Sequence, residues 1–221
     1  MLSPRPLPDT ADHRLARRRV GGGVPGLQVA DLNSLGEDRQ RDLLRQIAET
    51  VQAVWGRCTE DFHDVSTAER VLRRRLGASD EALFVALDED GLLMGTASIG
   101  RDDFYEDFSR ANGVAPGYVG RDLHTEKRWR GVVVDGLKVW EHLLEARLNW
   151  IAPRGGAQLT VYTEPSDIDL PALYERAGAI VLRTGLDHRE LGRGTITMLG
   201  YPVQEGLDRL AAIRHRRRAG A

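Results

Sequence analysis

Apolar positions recur at two different periods along this chain, and the switches between them divide it into elements. "GLQVADL" (26–32) has the short apolar run of a strand. Leu43, Ile47, Val51 and Val54 follow at helical spacing, behind Ser34 and Glu37, which stand at capping-box separation. A second such pair, Ser66 and Glu69, opens "VLRRRL", and Gly77 offers that helix an end. Residues 82–100 read as two strands around Asp90-Gly91, a dipeptide that favours tight hairpin turns. Residues 101–117 are polar and irregular; Phe104, Tyr105 and Phe108 within them can either line a mouth or anchor the loop. "YVGRDLHT" (118–125) is strand-like. Val133, Leu137, Trp140, Leu144, Leu148 and Ile151 then predict one long helix over 133–151, stopped by Gly155-Gly156. "AQLTVYT" returns to strand, "LPALYERAG" fits a short helix with Pro171 in its first turn, and "AIVLRTG" and "TITMLGY" supply two last strands.

The order β-α-α-β-β-β-α-β-α-β-β implies an α/β (α+β) fold with helices on both faces of a mixed sheet. A dinucleotide-binding fold is excluded, since no Gly-x-Gly-x-x-Gly follows an early strand. Residues 1–25, with Arg17-Arg18-Arg19 and Gly21-Gly22-Gly23, read as a flexible basic, Gly- and Pro-containing arm. The folded domain then spans 26–203, and 204–221 forms a small helix with a basic tail, Arg214-His215-Arg216-Arg217-Arg218, read as a solvated terminus. Arg73-Arg74-Arg75 likewise reads as a solvated helix face.

Charge narrows the class of partner. The chain carries 31 Lys and Arg against 33 Asp and Glu, a net charge of −2, so nothing attracts it generally to nucleic acid or anionic membranes. No apolar run approaches the ~20 residues of a membrane span, and no signal-peptide stretch follows the N-terminal arginines, so the expected location is cytoplasmic. One cysteine, Cys58, excludes an internal disulfide and a cysteine-rich zinc site, and no cluster has metal-ligand spacing, so no metal is expected. A Gly-x-Ser-x-Gly nucleophile elbow is also missing.

Two stretches carry a resemblance. "RWRGVVVDGLKVWEHLLEARLNW" (128–150) and "VYTEPSDIDLPALYERAGAIV" (161–181) resemble the GNAT superfamily, the acyl-CoA-dependent N-acyltransferases, and the likeness extends over residues 26–202. It implies an acetyltransferase-like, mostly antiparallel sheet of seven strands, and an acyl group passed from acetyl-CoA or another acyl-CoA directly to the amine of a small molecule. The "LYERAG" match implies that Tyr174 protonates the departing thiolate. Asp167 stands near a family asparagine that contacts the cofactor arm. Thr125, Arg128, Arg130, Gly131, Val132 and Val133 occupy the region of the family's pyrophosphate loop. That loop is degenerate here: aligned on Arg130-Gly131, the next two glycine positions are Val133 and Asp135. A Cβ at such positions intrudes on a phosphate, and Asp135 repels one.

Acyl transfer needs a neutral amine and therefore a base. Strand alternation over 118–126 puts Asp122, His124 and Glu126 on one side, with Arg121, Leu123 and Thr125 on the other. His124 and Glu126 are the base candidates, with Glu164 on the same edge. His63 and His188 read as bystanders and His142 as a helix-surface residue. Two other functions stay open: a non-catalytic binding or assembly module of the same fold, and an enzyme using a carrier-protein-bound acyl donor, which would not need the phosphate loop. A homodimer is compatible with either.

Overall fold

The computed structural model describes residues 26–56, 62–101, 103–163, 170–188 and 192–220. The expected arm over 1–25, Cys58, Glu164 and Asp167 lie outside them, as do the side chains of Phe104 and His188. In chain order the elements are β1 (Leu27–Asp31), α1 (Glu37–Trp55), α2 (Val65–Leu76), β2 (Ala82–Asp88), β3 (Leu93–Gly100), α3 (Asp103–Ala111) and β4 (Tyr118–Thr125). There follow β5 (Val133–Val134), β6 (Leu137–Lys138), α4 (Val139–Ile151), β7 (Gln158–Thr163), α5 (Leu170–Arg176), β8 (Ile180–His188), β9 (Gly192–Pro202) and α6 (Val203–Ala219).

Seven strands form one sheet in the order β1-β2-β3-β4-β7-β9-β8, antiparallel at every pair except β4–β7. Parity along β2 builds the layers. Ala82, Phe84 and Ala86 face a core made with α4, α5 and α6, while Leu83, Val85 and Leu87 face a second core made with α1 and α2. Both faces of β2 and β3 are therefore buried, which is why these strands read as near-continuous apolar runs. Asp90-Gly91 makes the expected hairpin, with Gly91 at φ 76°. Among the described residues no helix is long and apolar enough to cross a membrane.

Several local expectations are corrected. Neither capping box forms. Ser34 donates to the Asp31 carbonyl inside a 3-10 turn, and α1 starts behind Gly36. At α2 the cap is Asp64, whose carboxylate accepts from the Thr67 N–H (2.9 Å); Ser66 only bonds that carboxylate. Together the Ser66 hydroxyl, the Thr67 N–H and the Thr67 hydroxyl hold the Asp64 carboxyl far below its usual range. The supposed loop 101–117 contains α3. Its Tyr105 stacks on Tyr162 of β7, with ring centres 5.0 Å apart, and Ser109 bonds the same hydroxyl, so the aromatics anchor it.

The expected helix over 133–151 begins only at Val139. Ahead of it Val133–Lys138 folds as a two-residue hairpin, Val133 opposite Lys138 and Val134 opposite Leu137. Its turn is Asp135-Gly136, both at positive φ (50° and 80°), the backbone of a type I′ turn. Val133 is an exposed hairpin residue rather than the start of a helix. His142 is buried, and its Nε2 donates to the Val134 carbonyl at 2.8 Å. It fixes the hairpin to α4 and is not a surface residue.

The basic tail is no solvated terminus either. In α6, Arg214 forms a two-pronged pair with Glu145 (2.8 and 2.6 Å), Arg217 pairs with Glu141, and Arg218 with Asp135. Arg218 and Arg214 hold the Asp135 carboxyl below its ordinary range, with slight burial working against them.

Candidate active site

β4 pairs with β7 only at Tyr118, Val119 and Gly120, opposite Leu159, Thr160 and Val161. The pairing of the two parallel neighbours ends at Gly120, and a cleft of about 570 Å³ lies against the far end of β4. Its walls come from β4 (Leu123, His124, Thr125), α1 (Val54, Trp55), the start of α4 (Lys138, Val139, Trp140) and α5 (Leu170, Leu173, Tyr174). Trp129, Arg130 and Gly131 close one side. The size and mixed lining suit a small organic ligand.

A bulge in β4 lies just beyond Gly120. Between Thr96–His124 and Ser98–Arg121, β3 advances two residues while β4 advances three, and Asp122 takes up the extra residue at φ 51°. Arg121 and Asp122 consequently turn the same way, against the alternation expected for them. Arg121 Nη2 donates to Glu81 (2.7 Å), and Asp122 accepts from Ser98 (2.7 Å) and from Arg75. Arg75 also lies over the Phe62 ring, so it is a structural residue and not part of a solvated face. Burial of Glu81 pushes its carboxyl up, opposed by Arg121 and Arg75. This half-buried network holds the bulge in place.

Beyond the bulge, alternation resumes as expected. Leu123 faces the α4 core, whereas His124 packs edge-on to Trp55 of α1 (6.4 Å between ring centres). His124 Nε2 lies 3.7 Å from Glu126 Oε1, and Thr50 of α1 donates to the same carboxylate oxygen (3.4 Å). Burial lowers the His124 pKa below its ordinary 6.5; Glu126 opposes this and Arg130 adds to it. The imidazole is therefore neutral at pH 7. The Glu126 N–H bonds the Met94 carbonyl across β3, so the Thr125 backbone groups point the other way, into the cleft. There the Arg130 Nε–H donates to the Thr125 carbonyl (3.2 Å), and the Thr125 N–H is turned to the same side.

On the opposite wall Tyr174 is 7 % exposed, between Trp140 and Tyr201. The Tyr201 hydroxyl bonds the Tyr174 carbonyl (3.3 Å) and so fixes this turn of α5. His124, Thr125, Arg130, Gly131 and Tyr174 thus meet in one cleft. Arg128 does not: its guanidinium covers the Trp129 ring and faces a neighbouring recess of about 530 Å³ with Glu49, Thr50 and Glu126. Val132 and Val133 do not line the cleft. Sequence reasoning missed Trp55, Trp129 and Trp140. Only Trp140 had a signal, as part of the helix pattern; Trp55 and Trp129 come to the cleft from element ends. Among the described residues the buried Trp129 Nε1–H has no hydrogen-bond partner.

No protein-family model matches the sequence, and no curated protein matches it. Solved structures do match the fold. A GNAT-family acetyltransferase from Staphylococcus aureus Mu50 superposes with a TM-score of 0.54 at 13% identity, covering 80% of this chain and 99% of its own. Spermidine N-acetyltransferase from Vibrio cholerae, in complex with CoA and spermine, gives 0.56 at 11% identity, over 82% and 98%. FeeM, an N-acyl amino acid synthase from uncultured soil microbes, gives 0.55 at 14% identity, over 86% and 98%. The chain has the GNAT acetyltransferase fold.

Proposed function

We propose that the protein is an N-acyltransferase that uses acetyl-CoA or another pantetheine thioester and passes the acyl group directly to the amine of a small molecule. The observation that carries this reading is one cleft, past the point where the β4–β7 pairing ends, lined by His124, Thr125 and Tyr174. The fold of CoA- and amine-binding acetyltransferases is consistent with it.

In this reading neutral His124, backed by Glu126, takes the proton of the acceptor ammonium. The free amine attacks the thioester carbonyl, forming the C–N bond as negative charge moves to the carbonyl oxygen. The Thr125 N–H is the backbone donor for that oxygen. Collapse breaks the C–S bond, and Tyr174 gives its proton to the leaving sulfur. Before that collapse His124, having released its first proton to solvent, takes the second from the tetrahedral nitrogen, and solvent afterwards restores the Tyr174 proton.

One specific observation favours a second reading, a binding module without catalysis. The Val133–Lys138 hairpin stands where a phosphate loop would, with Val134 facing Leu137 across it and the Lys138 N–H taken by Glu141. Binding separates the two. At a hundredfold excess over its dissociation constant, acetyl-CoA should stabilise the chain by about 2.7 kcal/mol, visible as a thermal shift, and amine-dependent thiol release should follow. Absence of any shift at millimolar acetyl-CoA would exclude the acyl-CoA enzyme.

A further inference from the structure

A thioester donor built on pantetheine carries phosphate at the far end of its arm, so the thioester reading requires a place for that charge. The usual solution is the set of free amides at a helix N-terminus. Here a side chain of α4 takes the first of those amides. Glu141, 3 % exposed, accepts from the Lys138 N–H (2.7 Å) and is paired with Arg217, which also donates to the Gly136 carbonyl (3.3 Å). The preceding amides belong to the hairpin. A phosphate arriving there would meet a carboxylate.

Beside it lies a different cavity, of about 290 Å³, between the start of α4, α5 and α6. It adjoins the cleft, sharing Lys138, Trp140 and Leu173 with it. Lys138, Arg176, Arg209, Arg216 and Arg217 line it, against the single carboxylate of Glu141. Arg217 is used by Glu141. Among the described residues the other four cations have no carboxylate partner, and Arg209 bonds only the Arg176 carbonyl (3.3 Å). Three elements thus bring four uncompensated positive charges to one concavity, at the cleft end away from His124. Guanidinium groups suit phosphate oxygens, which they can engage in pairs.

We propose that this cavity holds the phosphate-bearing end of the pantetheine donor, with Lys138, Arg176, Arg209 and Arg216 supplying the positive charge at a helix start that the Glu141 carboxylate closes to phosphate. The proposal rests on the thioester reading above. It assigns α6 a direct part in donor binding.

Calorimetric titration of the full chain with CoA, 4′-phosphopantetheine and pantetheine tests it. The double variant Arg209→Gln/Arg216→Gln should lose at least about tenfold in CoA affinity and leave pantetheine binding unchanged. Arg216→Gln alone removes an exposed side chain that makes no bond, so its several-fold loss guards against a folding artefact. Arg70→Gln, on the exposed face of α2, controls for net charge and should change nothing. CoA held much more tightly than phosphopantetheine identifies the nucleotide diphosphate as the ligand; equal affinity identifies the single phosphate of a carrier arm. Both outcomes uphold the site. Wild-type CoA affinity in the double variant overturns this proposal and spares the thioester reading. A wild-type chain that binds none of the three probes overturns both.

Discussion

A histidine acts as a base at neutral pH only when something keeps it unprotonated, and at His124 that is burial. Its depressed pKa predicts that kcat/KM falls on acidification through an apparent pKa below 6.5. His124→Gln should abolish that acid limb and reduce kcat by about 10²–10⁴-fold; an unaltered limb would move the base to Glu126. The same shift has a stability consequence. Below about pH 6.5 the unfolded chain accepts a proton that the folded chain refuses, so stability declines as pH falls through that range. Arg147 is the contrasting case. Its guanidinium is 1 % exposed beneath Gly120, near Tyr174 and Tyr201, and its Nε has no partner. Burial lowers its pKa against the opposing pull of Tyr174, Tyr201 and Asp122, and a buried donor without a partner costs stability. Arg147→Met should therefore raise the urea midpoint, by about 1–4 kcal/mol in unfolding free energy. A lower midpoint would show that the charge is needed where the sheet parts.

At the scale of elements, Gly136 and Glu141 decide how α4 begins. A Cβ at Gly136 would need positive φ and would lie 2.7 Å from the Arg214 carbonyl oxygen. Gly136→Ala should cost about 1–3 kcal/mol, and Glu141→Gln, which breaks the pair with Arg217, about 1–3 kcal/mol, both read as lower melting temperatures. This start was the part of the fold least legible in the sequence. Apolar spacing runs from Val133 through Leu137 into α4 without a break, so periodicity alone joins hairpin to helix. Asp135-Gly136 is a turn signal of the same type as Asp90-Gly91, but Asp135 also falls on a glycine position of the expected phosphate loop. At α2 the capping box failed because Asp64, two residues ahead of Ser66, starts the helix earlier by accepting from the Thr67 N–H, which puts Ser66 inside it. Strand order was readable because buried strands have apolar runs of their own length. His124 and Tyr174 both line the cleft. The bulge at Asp122 was invisible, because it depends on Arg75 and Ser98, distant in sequence.

On the scale of the whole molecule, α6 is the element whose role changes most from the sequence reading. Its arginines reach three carboxylates of the hairpin and α4, while Val203, Leu210 and Ile213 enter the core beneath. Gly206 lets the helix approach Leu148, since a Cβ there would lie 2.8 Å from that side chain. Burial of each of the three apolar side chains is worth about 1.5–3 kcal/mol. Together they match the lower part of the about 5–15 kcal/mol by which a domain is usually stable. Removal would also expose Leu148 and Tyr201 and leave Asp135, Glu141 and Glu145 without their partners. A chain ending at Pro202 should accordingly lose its cooperative thermal transition and its near-ultraviolet circular dichroism. If it melts like the full-length protein, α6 is an appendage and its arginines are free for another use. If it does not, the helix that holds the start of α4 in place is also the one whose remaining arginines face the donor, and fold and binding depend on one element.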